Sequence, residues 1–133
     1  MINNPMEKNK DKEIDVLALE IHDKIKGLKM IYNTYTKKRG APKLLNIFCK
    51  KCLAYVMTYQ KDGPGKLLRC YLDRIRLPLD LQKRQFEYVK RGKNTSLDCK
   101  SCSTIIGTPI IYKPENRPAY HMIYEHFNAI NYD

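Results

Sequence analysis

The chain has 133 residues, 43% of them apolar, which suits one small domain with a modest buried core. It has no run of 18 apolar residues, so no membrane-spanning helix is expected, and the polar stretch Met1–Lys12 lacks the apolar segment of a secretory signal. A net charge of +11, from 25 basic and 14 acidic side chains, points to a polyanionic partner, nucleic acid before anionic lipid.

The charge is uneven. Residues 1–31 hold six lysines and six acids and sum to zero, so the whole excess, 19 basic against 8 acidic, falls on residues 32–133. Residues 1–12 read as disordered. An amphipathic helix is expected over residues 13–36, because Ile14, Leu17, Ile21, Ile25, Leu28 and Ile31 recur at spacings of three and four. Its acids come early and its lysines late, as the helix dipole favours. The stripe is close to heptad spacing, so residues 13–32 are also a candidate for self-association or for docking a protein partner. Residues 37–43, with Gly40 and Pro42, form a basic linker that stops the helix.

Residues 44–133 are expected to form the remaining domain. Leu44–Phe48 reads as a strand, and Leu53–Gln60 and Leu67–Ile75 as two more, joined into a hairpin by Lys61-Asp62-Gly63-Pro64-Gly65-Lys66. Asp80 is expected to open a short helix over Leu81–Lys90 that Gly92 stops, although Phe86-Glu87-Tyr88-Val89 fits an extended segment equally well. Beyond it, Ser103–Tyr112 reads as a β segment broken near Pro109, Lys113–Pro118 as a turn, and Ala119–Phe127 as a final strand with a frayed end.

Two Cys-x-x-Cys pairs, Cys49/Cys52 and Cys99/Cys102, bracket 46 residues of this domain. A two-residue spacer lets a tight turn aim both sulfurs at one ion, and two such turns complete a tetrahedron with bonds of about 2.3 Å. Five cysteines, an odd number, and the absence of a signal favour a reducing, cytoplasmic setting in which thiols bind metal. Cys70, the odd thiol, lies in the apolar strand Leu68–Leu72 and reads as a small core residue.

Two knuckles, each leading into β structure, resemble a zinc ribbon over residues 44–112, with rubredoxin-like ligand spacing. The turn Tyr59–Lys66 together with Tyr71–Ile75 is similar to uncharacterised bacterial zinc-ribbon proteins. The resemblance implies that Cys49, Cys52, Cys99 and Cys102 are the metal ligands. Joined to the helix expected from the apolar stripe, it gives an expected fold that is mainly β with an N-terminal α-helix: a zinc ribbon with β-hairpins and an amphipathic helix. Ribbon knuckles usually place glycine directly after the second cysteine, where a positive φ turns backbone N–H groups toward sulfur. Leu53 and Ser103 hold those places, so less regular turns are expected. Four thiolates suit zinc or a single iron. Rubredoxins are acidic and carry Pro and Gly inside their knuckles; this basic chain has neither, so one Zn2+ is the expected cofactor. Four protein ligands leave no open position, so the ion is expected to be structural, contributing on the order of 10 kcal/mol.

Other motifs fail on spacing. Gly63-Pro64-Gly65-Lys66 lacks the glycine separation and the Ser or Thr of a phosphate-binding loop and reads as a turn. His121 and His126 are five residues apart, about 140° around a helix, and cannot chelate from one face. No catalytic set stands out, so an enzyme is not expected; were there one, Asp73, Arg74, Glu115, Arg117 and His121 would be its polar groups. The cations Lys50, Lys51, Lys61, Lys66, Arg69, Arg74 and Arg76, interleaved with Tyr55, Tyr59 and Tyr71, are the candidate nucleic-acid contacts: charge for phosphates, rings for unstacked bases. The alternative is a protein-interaction adaptor using the N-terminal helix, with the metal only a scaffold.

Overall fold

The computed structural model of the chain describes residues 26–91 and 95–131. Residues 1–12, and residues 13–25 of the expected helix, lie outside the described residues. Lys26–Tyr32 is a turn followed by irregular chain, not helix, which corrects the expected N-terminal amphipathic helix over this stretch. The reason is a side chain. The Gln60 amide pairs with Ile31 through both of its groups, accepting from the Ile31 N–H and donating to the Ile31 carbonyl, each at 2.8 Å. Held this way, the chain presents Leu28 and Met30, two residues apart, to Leu44 and Phe48. Only then does a helix begin. Asn33 caps α1 (Thr34–Arg39) in a reciprocal box with Thr36, and Gly40 at φ 118° ends it.

From there the fold is antiparallel β. One sheet has the order β4–β2–β1–β8, built from β1 (Pro42–Cys49), β2 (Tyr55–Asp62), β4 (Ile75–Leu77) and β8 (Phe127–Asn131). The other has the order β3–β7–β6–β5, built from β3 (Arg69–Tyr71), β5 (Leu97–Asp98), β6 (Ile105–Tyr112) and β7 (Arg117–Met122). The helices α2 (Leu79–Gln82) and α3 (Arg84–Arg91) join β4 to β5. Asp80 does not cap α2: Pro78 stands at the cap, and the Asp80 carboxylate pairs with Lys100 at 2.7 Å.

These two sheets correct the expected ribbon with its hairpins. β2 and β3 do not pair. A single turn of 3-10 helix at Leu72–Arg74 splits the expected strand Leu67–Ile75, sending β3 to β7 and leaving β4 to pair with β2. Likewise Ala119–Phe127 is not one strand, because a 3-10 turn at Tyr124–His126 parts β7 from β8 and the two join different sheets. The expected frayed end is β8 itself, paired with β1 from Leu45↔Asn131 to Cys49↔Phe127. β6 runs unbroken through Pro109. The two-residue β5 pairs only with Ile105 and Gly107, so Pro109 faces no second ladder that would need its missing N–H.

Both sheets feed one apolar core. Ile47, Met57 and Ile75 from the first sheet pack in the same cluster as Cys70, Leu97, Ile106 and Tyr120 from the second, and all are sealed from solvent. Cys49 and Cys99 belong to that cluster.

Candidate metal centre and basic face

Each Cys-x-x-Cys pair bridges two neighbouring strands: β1 to β2 in one sheet, β5 to β6 in the other. The two turns are built alike. The Leu53 N–H donates to the Cys49 carbonyl and the Cys49 N–H to the Ala54 carbonyl, both at 2.8 Å. Ser103 and Thr104 repeat these bonds around Cys99 at the same 2.8 Å. Leu53 and Ser103 both sit at φ 66°, the left-handed region where glycine is usual. The missing glycines therefore leave the turns regular, because the strand pairing and the two bonds enforce the conformation on whatever side chain is present.

The four thiols meet. All their Sγ atoms lie within 4.8 Å of one another, with Cys49 3.6 Å from Cys102 and Cys52 3.4 Å from Cys99. Sulfurs bound tetrahedrally at about 2.3 Å stand about 3.8 Å apart, so the cluster matches a four-thiolate centre that could hold one metal ion. Burial is the largest influence on the Cys99 thiol and pushes it up to about 12, against backbone N–H groups of Cys102 and Ser101 that favour its thiolate. Cys102 moves the other way, down to about 6, chiefly through the Thr104 hydroxyl 3.0 Å away and the Thr104 N–H. A divalent ion on four thiolates would leave a local charge of +2 − 4 = −2, and the knuckles themselves carry the exposed Lys50, Lys51 and Lys100, the last of them paired with Asp80.

Of the candidate nucleic-acid contacts, the structure buries several and exposes others. Arg74 is 2% exposed and tied to Asp62 at 2.8 Å, Asn33 at 2.7 Å and Thr36 at 3.2 Å, so it braces α1 on the sheet. Arg76 bonds the Lys29 carbonyl and Gln60. Tyr55 bonds Thr58 and packs edge-on against Phe48. Tyr59 is buried and its hydroxyl accepts the Tyr71 N–H at 2.9 Å, a side chain standing where a ladder bond would be. Tyr71 is itself covered by Arg117 (3.8 Å to the ring centre) and Arg39 (4.9 Å). These residues belong to the scaffold.

Lys50, Lys51 and Lys66 are exposed and Arg69, like Tyr55 and Arg76, is partly exposed. A groove runs from Lys50 past Lys66 and Leu67 to Tyr124 and Phe127. Tyr124 leaves 68% of its surface in water, and the Lys66 ammonium sits 6.0 Å from its ring centre. The Lys50 N–H donates to the His126 carbonyl at 3.0 Å, so the first knuckle anchors the turn that carries this ring. Lys66 and Leu67 also line a second, adjoining cleft with Arg39, Lys61, Arg69 and Arg74. Tyr124 and Arg39 are not among the contacts that the sequence suggests. Tyr124 reads there as one more alternating residue of a strand, and Arg39 as linker.

The groups weighed for catalysis pair off structurally. Arg117, 3% exposed, lies between the rings of Tyr35 and Tyr71 and binds Asp73 at 2.6 Å and Glu115 at 3.4 Å. Glu115 also holds Arg39 and Lys38. His121 is exposed on β7, and His126 meets the Ile105 carbonyl at 2.7 Å, so the two histidines do different things. Cys70 is fully buried among apolar neighbours, and burial pushes its thiol well above the usual range.

Comparison with protein families, with curated proteins and with solved structures returns no match to this chain. Among the described residues no helix is long and apolar enough to cross a membrane.

Proposed function

We propose that this is a non-enzymatic binding module whose structural Zn2+ holds two sheets together and whose basic groove binds single-stranded nucleic acid. Zinc is preferred over iron on the basic character of the chain and an all-thiolate donor set without Pro or Gly in either knuckle. The observation that carries the binding reading is the exposed ring of Tyr124 beside Lys66 and Lys50 in one groove. An aromatic face offers stacking to any base, and flanking ammonium groups take the phosphates on either side.

This reading makes a definite demand on affinity. Fluorescence anisotropy of a labelled single-stranded RNA or DNA, titrated with the metal-loaded chain, should fall steeply between roughly 50 and 200 mM salt. Tyr124→Ala should cost about 1–3 kcal/mol, the worth of one stacked base. Lys50→Glu with Lys66→Glu should weaken binding on every sequence and flatten the salt slope. Salt-independent binding, or binding untouched by all three changes, would count against the groove.

A further inference from the structure

We infer that the adjoining cleft, enclosed by the end of α1, the β2–β3 loop and β3, is a receptor for a phosphate monoester. Its volume is about 250 Å³, below the roughly 300 Å³ at which sites for drug-sized ligands begin. It therefore suits a compact group and not a whole nucleotide. The lining is cationic far beyond its own needs. Of five cations, Arg74 is neutralised by Asp62 and Arg39 shares Glu115 with Arg117 and Lys38. Lys61, Lys66 and Arg69 have no carboxylate within ion-pair distance among the described residues.

Lys61 is the telling member. It is only 8% exposed, and its ammonium meets just one neutral acceptor, the Gly63 carbonyl at 2.7 Å. A buried ammonium with spare donors is costly unless an anion completes its shell. Arg39, across the cleft, has a buried Nε with no acceptor among the described residues. The Arg69 guanidinium is held over the Tyr112 ring at 4.1 Å and by the Tyr71 hydroxyl at 3.2 Å, so it is positioned before any ligand arrives. Three unpaired cations match a monoester, which carries close to two charges at neutral pH, better than a diester with one.

A monoester can come from a free phosphorylated small molecule or from the phosphorylated end of a strand. Only the second source rests on the reading above, since Lys66 and Leu67 are shared with the groove.

Two experiments on the metal-loaded full chain separate these. Inorganic phosphate, titrated against chloride at matched ionic strength, should give saturable amide shifts over residues 63–69. Lys66→Ala, at an exposed site, and Lys61→Met, of similar volume, should each weaken it by about fivefold or more, the loss of one charge-assisted bond. Shifts no larger than those from chloride, or unchanged affinity in both folded variants, would overturn the site. The same strand is then compared with a 5′-phosphate and a 5′-hydroxyl. About tenfold tighter binding of the phosphorylated form, lost in Lys61→Met, supports the strand end. Equal binding of the two forms overturns the strand end while the groove stands. Failure of either strand to bind, with phosphate still saturating the cleft, overturns the groove and leaves the cleft.

Discussion

At the scale of the residue, the metal centre depends on backbone that two side chains do not favour. Ser103 and Leu53 hold φ 66°, a conformation costing an L-residue roughly 1–2 kcal/mol relative to glycine. Ser103 is exposed and makes no packing that glycine would lose, so Ser103→Gly should raise the stability of the metal-loaded chain by about 1 kcal/mol, read by thermal melting. Leu53 is half-buried, and Leu53→Gly should return less. A drop in melting temperature for Ser103→Gly would mean the turn is not strained. Lys61 carries a second signature. Burial, with Lys43 and Arg39 nearby, lowers its pKa against the opposing pull of Asp62. The folded chain therefore releases this proton before the unfolded one does. The resulting stability is complete above the unfolded value of about 10.4 and is lost as pH falls through the lower folded value. Wild type should therefore gain stability relative to Lys61→Met as pH rises toward the unfolded value, in paired denaturant titrations. A constant difference would show that the ammonium is not desolvated.

At the scale of the element, the sequence was legible where local chemistry decides and opaque where a distant partner does. The clustering of the four cysteines and the strands on both sides of the first knuckle were readable because spacing and strand pattern are local signals, whereas the glycine-rich turn closes no hairpin. The helix over residues 81–90 was readable in kind, though Lys83 interrupts it and the cap differs. The assignment of strands to sheets was not readable. Leu67–Ile75 looks like one strand, yet Tyr59 reaches over to take the Tyr71 N–H, and the turn at Leu72–Arg74 moves the chain from one sheet to the other. The expected N-terminal helix failed over Lys26–Tyr32 for the same kind of reason. Its apolar stripe is real, but Gln60, 29 positions away, supplies the bonds that engage both backbone groups of Ile31. The basic face was half legible: charge can be counted in a sequence, but which cations spend their charge on Asp62, Asp73 or Glu115 cannot.

At the scale of the whole molecule, one ion would hold what the core alone holds weakly. Each sheet has four strands, and each contributes one knuckle, so the centre lies between the sheets and not within either. Cys49 and Cys99 are also core residues, which would tie a bound ion to the packing of both sheets at once. Removing it leaves four thiols crowded at 3.4–3.6 Å along the pairs Cys52–Cys99 and Cys49–Cys102, with no charge to draw them together. Structural metal binding, were the cluster to hold an ion, on the order of 10 kcal/mol, would be comparable to the whole stability of a domain this size, about 5–15 kcal/mol. Chelation should therefore unfold the protein as a unit, and Cys52→Ser, at a half-buried ligand, should do much the same. Amide exchange followed through chelator titration should show protection vanishing together in β1–β2 and in β6–β7. If β6 and β7 stayed protected in metal-free protein, the second sheet would be stable alone and the ion would be only a local clip. The same titration read at Tyr124 reaches the binding face. The first knuckle holds the His126 carbonyl, so nucleic-acid affinity should fall in step with metal content and return on adding Zn2+.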